Sequence, residues 1–172
     1  MIHSSDGQLV VFHEWDGWNG IPNTGLRMGV REVAQKIKEY EKDLQISYGV
    51  ADPSIWAKIA NGPSIAETFT QEGIGFEPAN NDRIMGKMEI HNRLRNDEYD
   101  RPQLMITENC KQLWRTLPMM QIDTRRPEDV DTKLEDHLYD CLRYVAMSKP
   151  TLAKAVESLY VGADTVTAEM DW

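Results

Sequence analysis

Ile46-Ser47-Tyr48-Gly49-Val50-Ala51-Asp52-Pro53 is the stretch on which the fold turns. Its first six residues suit a strand, and Asp52-Pro53 stops it, because proline has no backbone N–H to give a sheet. Upstream, Gln8-Leu9-Val10-Val11-Phe12-His13-Glu14-Trp15 has the same β-branched and aromatic character. Asp6-Gly7 before it is a hairpin signal, so a further strand belongs on its other side. Between the two strands, Leu26, Val30, Val33, Ile37, Tyr40 and Leu44 recur at steps of three and four. That is one face of a helix, which Thr24 can cap. Residues 17–25, rich in Gly, Asn and Pro, are a loop. Strand, helix, strand is the order of a crossover unit and predicts an α/β domain.

Downstream, Ile84, Met88, His91 and Leu94 form a second helical stripe, expected to face inward. Residues 103–107 read as a strand, and 109–117 as a short helix stopped by Pro118. Residues 128–148 begin acidic and become helical, with Leu134, Leu138, Cys141, Leu142 and Val145 inward. Pro150 opens a last helix to about Tyr160, before a polar tail from Gly162. The expected organisation is one domain over 1–161 and a flexible tail over 162–172, as suits a chain of 172 residues.

Composition narrows the function. The net charge of −9 argues against coating nucleic acid through the overall field. Residues 81–126 nevertheless carry nine Lys/Arg against seven acids, leaving room for a local basic face. No apolar run reaches membrane-spanning length, and the N-terminus lacks signal-peptide character, so a cytoplasmic setting is expected. Cys110 and Cys141 make no disulfide scaffold. Met85-Gly86-Lys87-Met88 is no phosphate loop, and no Gly-x-Ser-x-Gly elbow exists.

The chemistry concentrates in Glu128-Asp129-Val130-Asp131-Thr132-Lys133-Leu134-Glu135-Asp136-His137-Leu138-Tyr139-Asp140. On a helix, Asp136 and Asp140 share a face at i,i+4, and His137 joins Asp140 at i,i+3. Carboxylates so spaced can hold a hard divalent cation. Acids at a helix start also complement its dipole with no further role. Asp140, expected mid-helix beside Cys141 and Leu142, needs solvent or a partner. Asp52 follows a strand end, where ligand-binding side chains collect in α/β sheets; it can equally be a turn former before Pro53. If the two meet, they make a metal-binding carboxylate pair able to activate water on a phosphodiester. Glu14 either supports that site or faces solvent.

Three blocks carry a resemblance. Glu14-Trp15-Asp16-Gly17-Trp18-Asn19-Gly20 with Pro22-Asn23-Thr24-Gly25-Leu26-Arg27-Met28 resembles the early part of the nuclease domain of tailed-phage terminase large subunits. Ala51-Asp52-Pro53-Ser54-Ile55-Trp56 resembles that family's second catalytic strand end, and residues 128–144 its last catalytic helix. The resemblance implies an RNase H-like mixed sheet flanked by helices, binding two Mg²⁺ or Mn²⁺ ions and cutting concatemeric viral DNA during packaging. Asp52 would be the second catalytic carboxylate and Asp140 the third, with His137 and Asp136 beside the metals. Double-stranded viral DNA, a terminase small subunit and a portal are the implied partners, in the host cytoplasm. Arg93, Arg95, Arg125 and Arg126 are candidates for DNA-backbone contacts from charge alone.

The family's first catalytic Asp lies on a strand that would precede residue 1 and pair with residues 9–14. That first strand is therefore expected to be missing, and Asp6 is a poor substitute for the acid. Weak metal binding, poor cutting and self-association through an open sheet edge are expected. A metal-dependent endonuclease and a catalytically impaired DNA- or protein-docking module both remain open, and beside them an unrelated α/β protein.

Overall fold

The computed structural model describes residues 2–3, 8–22, 24–58 and 62–148. The helix expected from Pro150 and the tail from Gly162 lie outside them. In chain order the elements are β1 (Ile2–His3), β2 (Leu9–Val11), α1 (Val30–Glu41), β3 (Val50–Ala51) and a 3₁₀ turn (Pro53–Trp56). Then come α2 (Ile65–Gln71), β4 (Glu77–Pro78), α3 (Arg83–Arg93), β5 (Leu104–Ile106), α4 (Lys111–Thr116) with a 3₁₀ turn (Leu117–Met119), and α5 (His137–Ser148).

The fold is mixed α/β, but the described strands form two small sheets. β1 and β2 pair antiparallel (Ile2↔Val11), and β2 pairs parallel with β5 (Leu9↔Leu104). β3 and β4 pair parallel (Val50↔Glu77). The expected crossover from residues 8–15 to 46–51 therefore does not occur within one sheet. The local parallel crossover is β3–α2–β4, one helix later. Ile2–His3 also occupies the side of β2 where the first strand was expected to be missing.

α2 starts at a capping box that the sequence spells as Ser64-Ile65-Ala66-Glu67. Ser64 Oγ accepts from Glu67 N at 3.1 Å, and the Glu67 carboxylate accepts from Ser64 N at 2.6 Å. α1 begins at Val30 rather than near Thr24, because Glu32 reaches back to accept from Gly29 N at 2.6 Å. Thr24 bonds the Pro22 carbonyl instead, and Leu26 and Leu44 lie exposed outside the helix. Val30, Val33, Ala34 and Ile37 pack with Phe69, Ile74 and Phe76 into one apolar core. A second core gathers Leu9 and Val11 of β2, Ile90 of α3, Cys110 and Leu113, and Tyr139, Leu142 and Ala146 of α5.

α3 is turned opposite to the sequence expectation. Ile84, Met88, His91 and Leu94 are exposed, while Gly86, Glu89, Ile90 and Arg93 are buried. The cause is close approach: a Cβ on Gly86 would stand 2.2 Å from Arg143 Cγ, so only the glycine face of α3 can seat against α5. α5 likewise starts at His137, which puts Asp140 in its first turn and not mid-helix. Its buried side is Tyr139, Leu142, Arg143, Tyr144 and Ala146, and Cys141 is exposed.

Candidate functional site

Arg83 meets Asp140 and Gly86 meets Arg143, so α3 and α5 run side by side in the same direction. Two helix N-termini, each with a positive dipole end, thus lie together, and acids collect around them. Asp82 caps α3, its Oδ1 accepting from Met85 N at 2.9 Å. The Asp136 carbonyl accepts from Asp140 N at 2.8 Å at the start of α5.

Arg83 sits among three of these acids. Its Nε donates to Asp129 Oδ2 at 2.9 Å, and Nη1 reaches both oxygens of Asp140 at 3.3 Å. Its Nη2 stands 3.6 Å from Asp136 Oδ2. Arg143, buried, donates from Nε and Nη2 to Asp140 Oδ1 at 3.2 and 3.1 Å. Burial alone would lower the Arg83 guanidinium. The Asp129 bond and the charges of Asp140, Asp129 and Asp136 outweigh it and hold it above its ordinary value. Burial and the Asp140 charge push the Asp136 carboxyl up. The Tyr139 phenol, buried in the same field, is pushed up to about 12 by desolvation.

Asp52 stands at the end of β3 as expected, and each of its oxygens accepts a hydrogen bond. Oδ1 accepts from Ser54 N at 2.7 Å, capping the 3₁₀ turn, and Oδ2 accepts the Tyr144 hydroxyl. The turn-forming role is thus real. The second bond ties Asp52 to α5 one turn beyond Asp140. Ser54 and then Tyr144 hold the Asp52 carboxyl below its ordinary range, while burial and Asp52 push Tyr144 up to about 12.

His137 goes elsewhere. It is exposed and lines a cavity of about 180 Å³ with Asp16, Trp18, Arg115 and Glu135. There Arg115 pairs with Glu135 at 2.6 Å and lies 4.8 Å over the Trp18 ring. Glu14 is structural: its carboxylate accepts from Gln112 N at 2.6 Å and Leu113 N at 3.0 Å, capping α4.

Of the candidate DNA contacts, Arg95, Arg125 and Arg126 are exposed. Arg93 is not: it is 1% exposed and donates to Glu89 Oε1 at 2.8 Å. A side chain so buried does not reach a phosphate, so Arg93 is not a DNA-backbone contact. Sequence reasoning missed Arg83, Asp129, Arg143 and Tyr144. Asp129 lay within the acidic segment, but Arg83 carries no local signal beyond following the Asp82 cap. Among the described residues, no group of three or more His, Cys, Asp or Glu is arranged to hold a metal ion. None of their helices is long and apolar enough to cross a membrane.

No family model matches the chain, and no curated protein matches it. Among solved structures, it is similar to the large terminase from the thermophilic bacteriophage D6E, determined in complex with ATP-γ-S. The TM-score is 0.62 at 17% identity, covering 88% of this chain. The chain spans 36% of that solved chain's length. At that identity the likeness is one of fold: this is a phage large-terminase-like α/β fold.

Proposed function

We propose that the chain is a terminase-type domain serving viral DNA packaging, with double-stranded DNA as its substrate and an RNase H-like nuclease half as its origin. What supports this is the placing of Asp52 and Asp140. They come from elements far apart in sequence, and both are bonded by neighbouring residues of α5, Tyr144 and Arg143. Arg95, Arg125 and Arg126 are the exposed cations that would touch the DNA backbone, and a terminase small subunit and a portal are the protein partners such a domain would meet. A nuclease of this type would use Mg²⁺ or Mn²⁺, with Asp52, Asp136, Asp140 and His137 as its candidate ligands. The donor set is not arranged for that metal as it stands: no three such ligands group together among the described residues, Asp52 and Asp140 already accept hydrogen bonds on both oxygens, and His137 faces the cavity beside Trp18.

A second reading, a DNA- or protein-docking module of the same descent, is favoured by those hydrogen bonds, which hold Asp52 and Asp140 in structural roles. The discriminating experiment is nicking of supercoiled plasmid in Mn²⁺, run beside a gel shift on duplex DNA. Cutting that is lost in Asp52→Asn supports the nuclease. A gel shift without cutting, weakened by Arg125→Ala/Arg126→Ala and by added salt, supports docking. The absence of both cutting and DNA binding overturns the nuclease and the DNA-docking module and leaves docking to a protein.

A further inference from the structure

Three carboxylates, Asp129, Asp136 and Asp140, converge on one guanidinium. Their side chains are 6%, 12% and 23% exposed. Carboxylates so far from solvent need a positive charge among them, because leaving a charge unpaired in the interior is costly. In a metal site that charge is a divalent ion. Here each nitrogen of the Arg83 fork addresses a different aspartate: Nε Asp129, Nη1 Asp140 and Nη2 Asp136. A planar, permanently charged fork suits several carboxylates at once in a way that a lysine ammonium does not.

The loop is fastened by a neighbour as well. Lys87, one turn along α3, donates to the carbonyls of Pro127 at 3.1 Å and Asp129 at 3.3 Å. Arg83 therefore does two jobs at one place. It neutralises the acids, and with Lys87 it holds the Asp129 loop against α3.

We propose that Arg83 is the resident cation of the Asp129–Asp136–Asp140 cluster, supplying with its guanidinium, beside Arg143 on Asp140, the positive charge that a divalent metal supplies in a metal site. The acids are then paired without a metal, and both Asp140 oxygens face a guanidinium while Arg83 is in place. The proposal goes beyond the packaging function and does not rest on it, since it concerns binding rather than cleavage.

The test is Mn²⁺ binding by the full chain, read as loss of the free-ion electron paramagnetic resonance signal, beside thermal unfolding in EDTA and in Mn²⁺. Wild type and Asp140→Asn are expected to bind Mn²⁺ alike, and the wild-type midpoint to be the same in both buffers. Arg83→Gln is expected to melt lower in EDTA, to gain Mn²⁺ binding that disappears in Arg83→Gln/Asp140→Asn, and to be raised by Mn²⁺. Arg83→Lys, which keeps a cation, gains none. Wild-type Mn²⁺ binding that Asp140→Asn abolishes overturns the proposal and strengthens the nuclease reading. A folded Arg83→Gln without Asp140-dependent binding also overturns it. If Arg83→Gln does not fold, the comparison of wild type with Asp140→Asn decides alone.

Discussion

The core around Phe69 and the core around Leu142 are both made of helices on short strands, yet their interiors differ. The first is apolar, with Phe69 edge-on to Phe76 at 5.2 Å and Ala34 fully buried in the same cluster. Beside the second, the helices α3 and α5 carry the buried pair Glu89–Arg93 and the arginines Arg83 and Arg143 among acids. Apolar packing is non-directional and tolerates approximate fit, whereas a buried charge is tolerable only with its partner in place. One region is held by area, and the other depends on particular pairs.

Removing one member of a pair should separate the two regions most sharply. Arg93→Met takes from the buried Glu89 the guanidinium that donates to it at 2.8 Å, and should cost about 3–5 kcal/mol in urea unfolding. Adding Glu89→Leu should return most of that loss. If the double variant is no better than the single, the α3–α5 contact is not governed by charge pairing. Next, Gly86→Ala places a methyl against the Arg143 side chain and should cost about 1–3 kcal/mol by overpacking. A neutral result would show that Arg143 has room to move aside.

A further effect, confined to alkaline solution, is set by pH. Tyr139 and Tyr144 are raised from 10.0 to about 12 in the folded chain. The native state therefore keeps protons that the unfolded chain releases. This contribution is full below about 10 and is lost as pH rises towards 12. Thermal midpoints should fall across that window, less steeply in Tyr139→Phe and in Tyr144→Phe. An unchanged slope in both variants would place the alkaline transition elsewhere. The Phe69 core contains no tyrosine and should not contribute to it.

Legibility in the sequence follows the same division. Val30, Val33 and Ile37 announce their buried face by spacing alone, and Leu104 to Ile106 announce a strand. The spacing of Ile84, Met88 and Leu94 pointed the wrong way, because the orientation of α3 is set by a glycine and by charges whose partners are distant in sequence. Asp52 was found because strand ends before proline are conspicuous. Its bond to Tyr144, like that of Arg83 to Asp140, links residues too distant in sequence for any local period to reveal. The capping box at Ser64 was spelled out, and it marks a helix that hydrophobic periodicity passed over.

Strand register also carries a consequence for the order in which the chain assembles. Val50 finds Glu77 across one short helix, whereas Leu9 must wait for Leu104 across most of the described chain. Closing the longer loop costs about 1 kcal/mol more entropy before any contact rewards it. The β3–α2–β4 unit should therefore gain amide protection early in refolding, and the parallel edge between β2 and β5 should gain it late. The apolar core that packs Leu9 and Val11 against Ile90 and Leu142 waits on that late edge, and would be the last part of the molecule to become native.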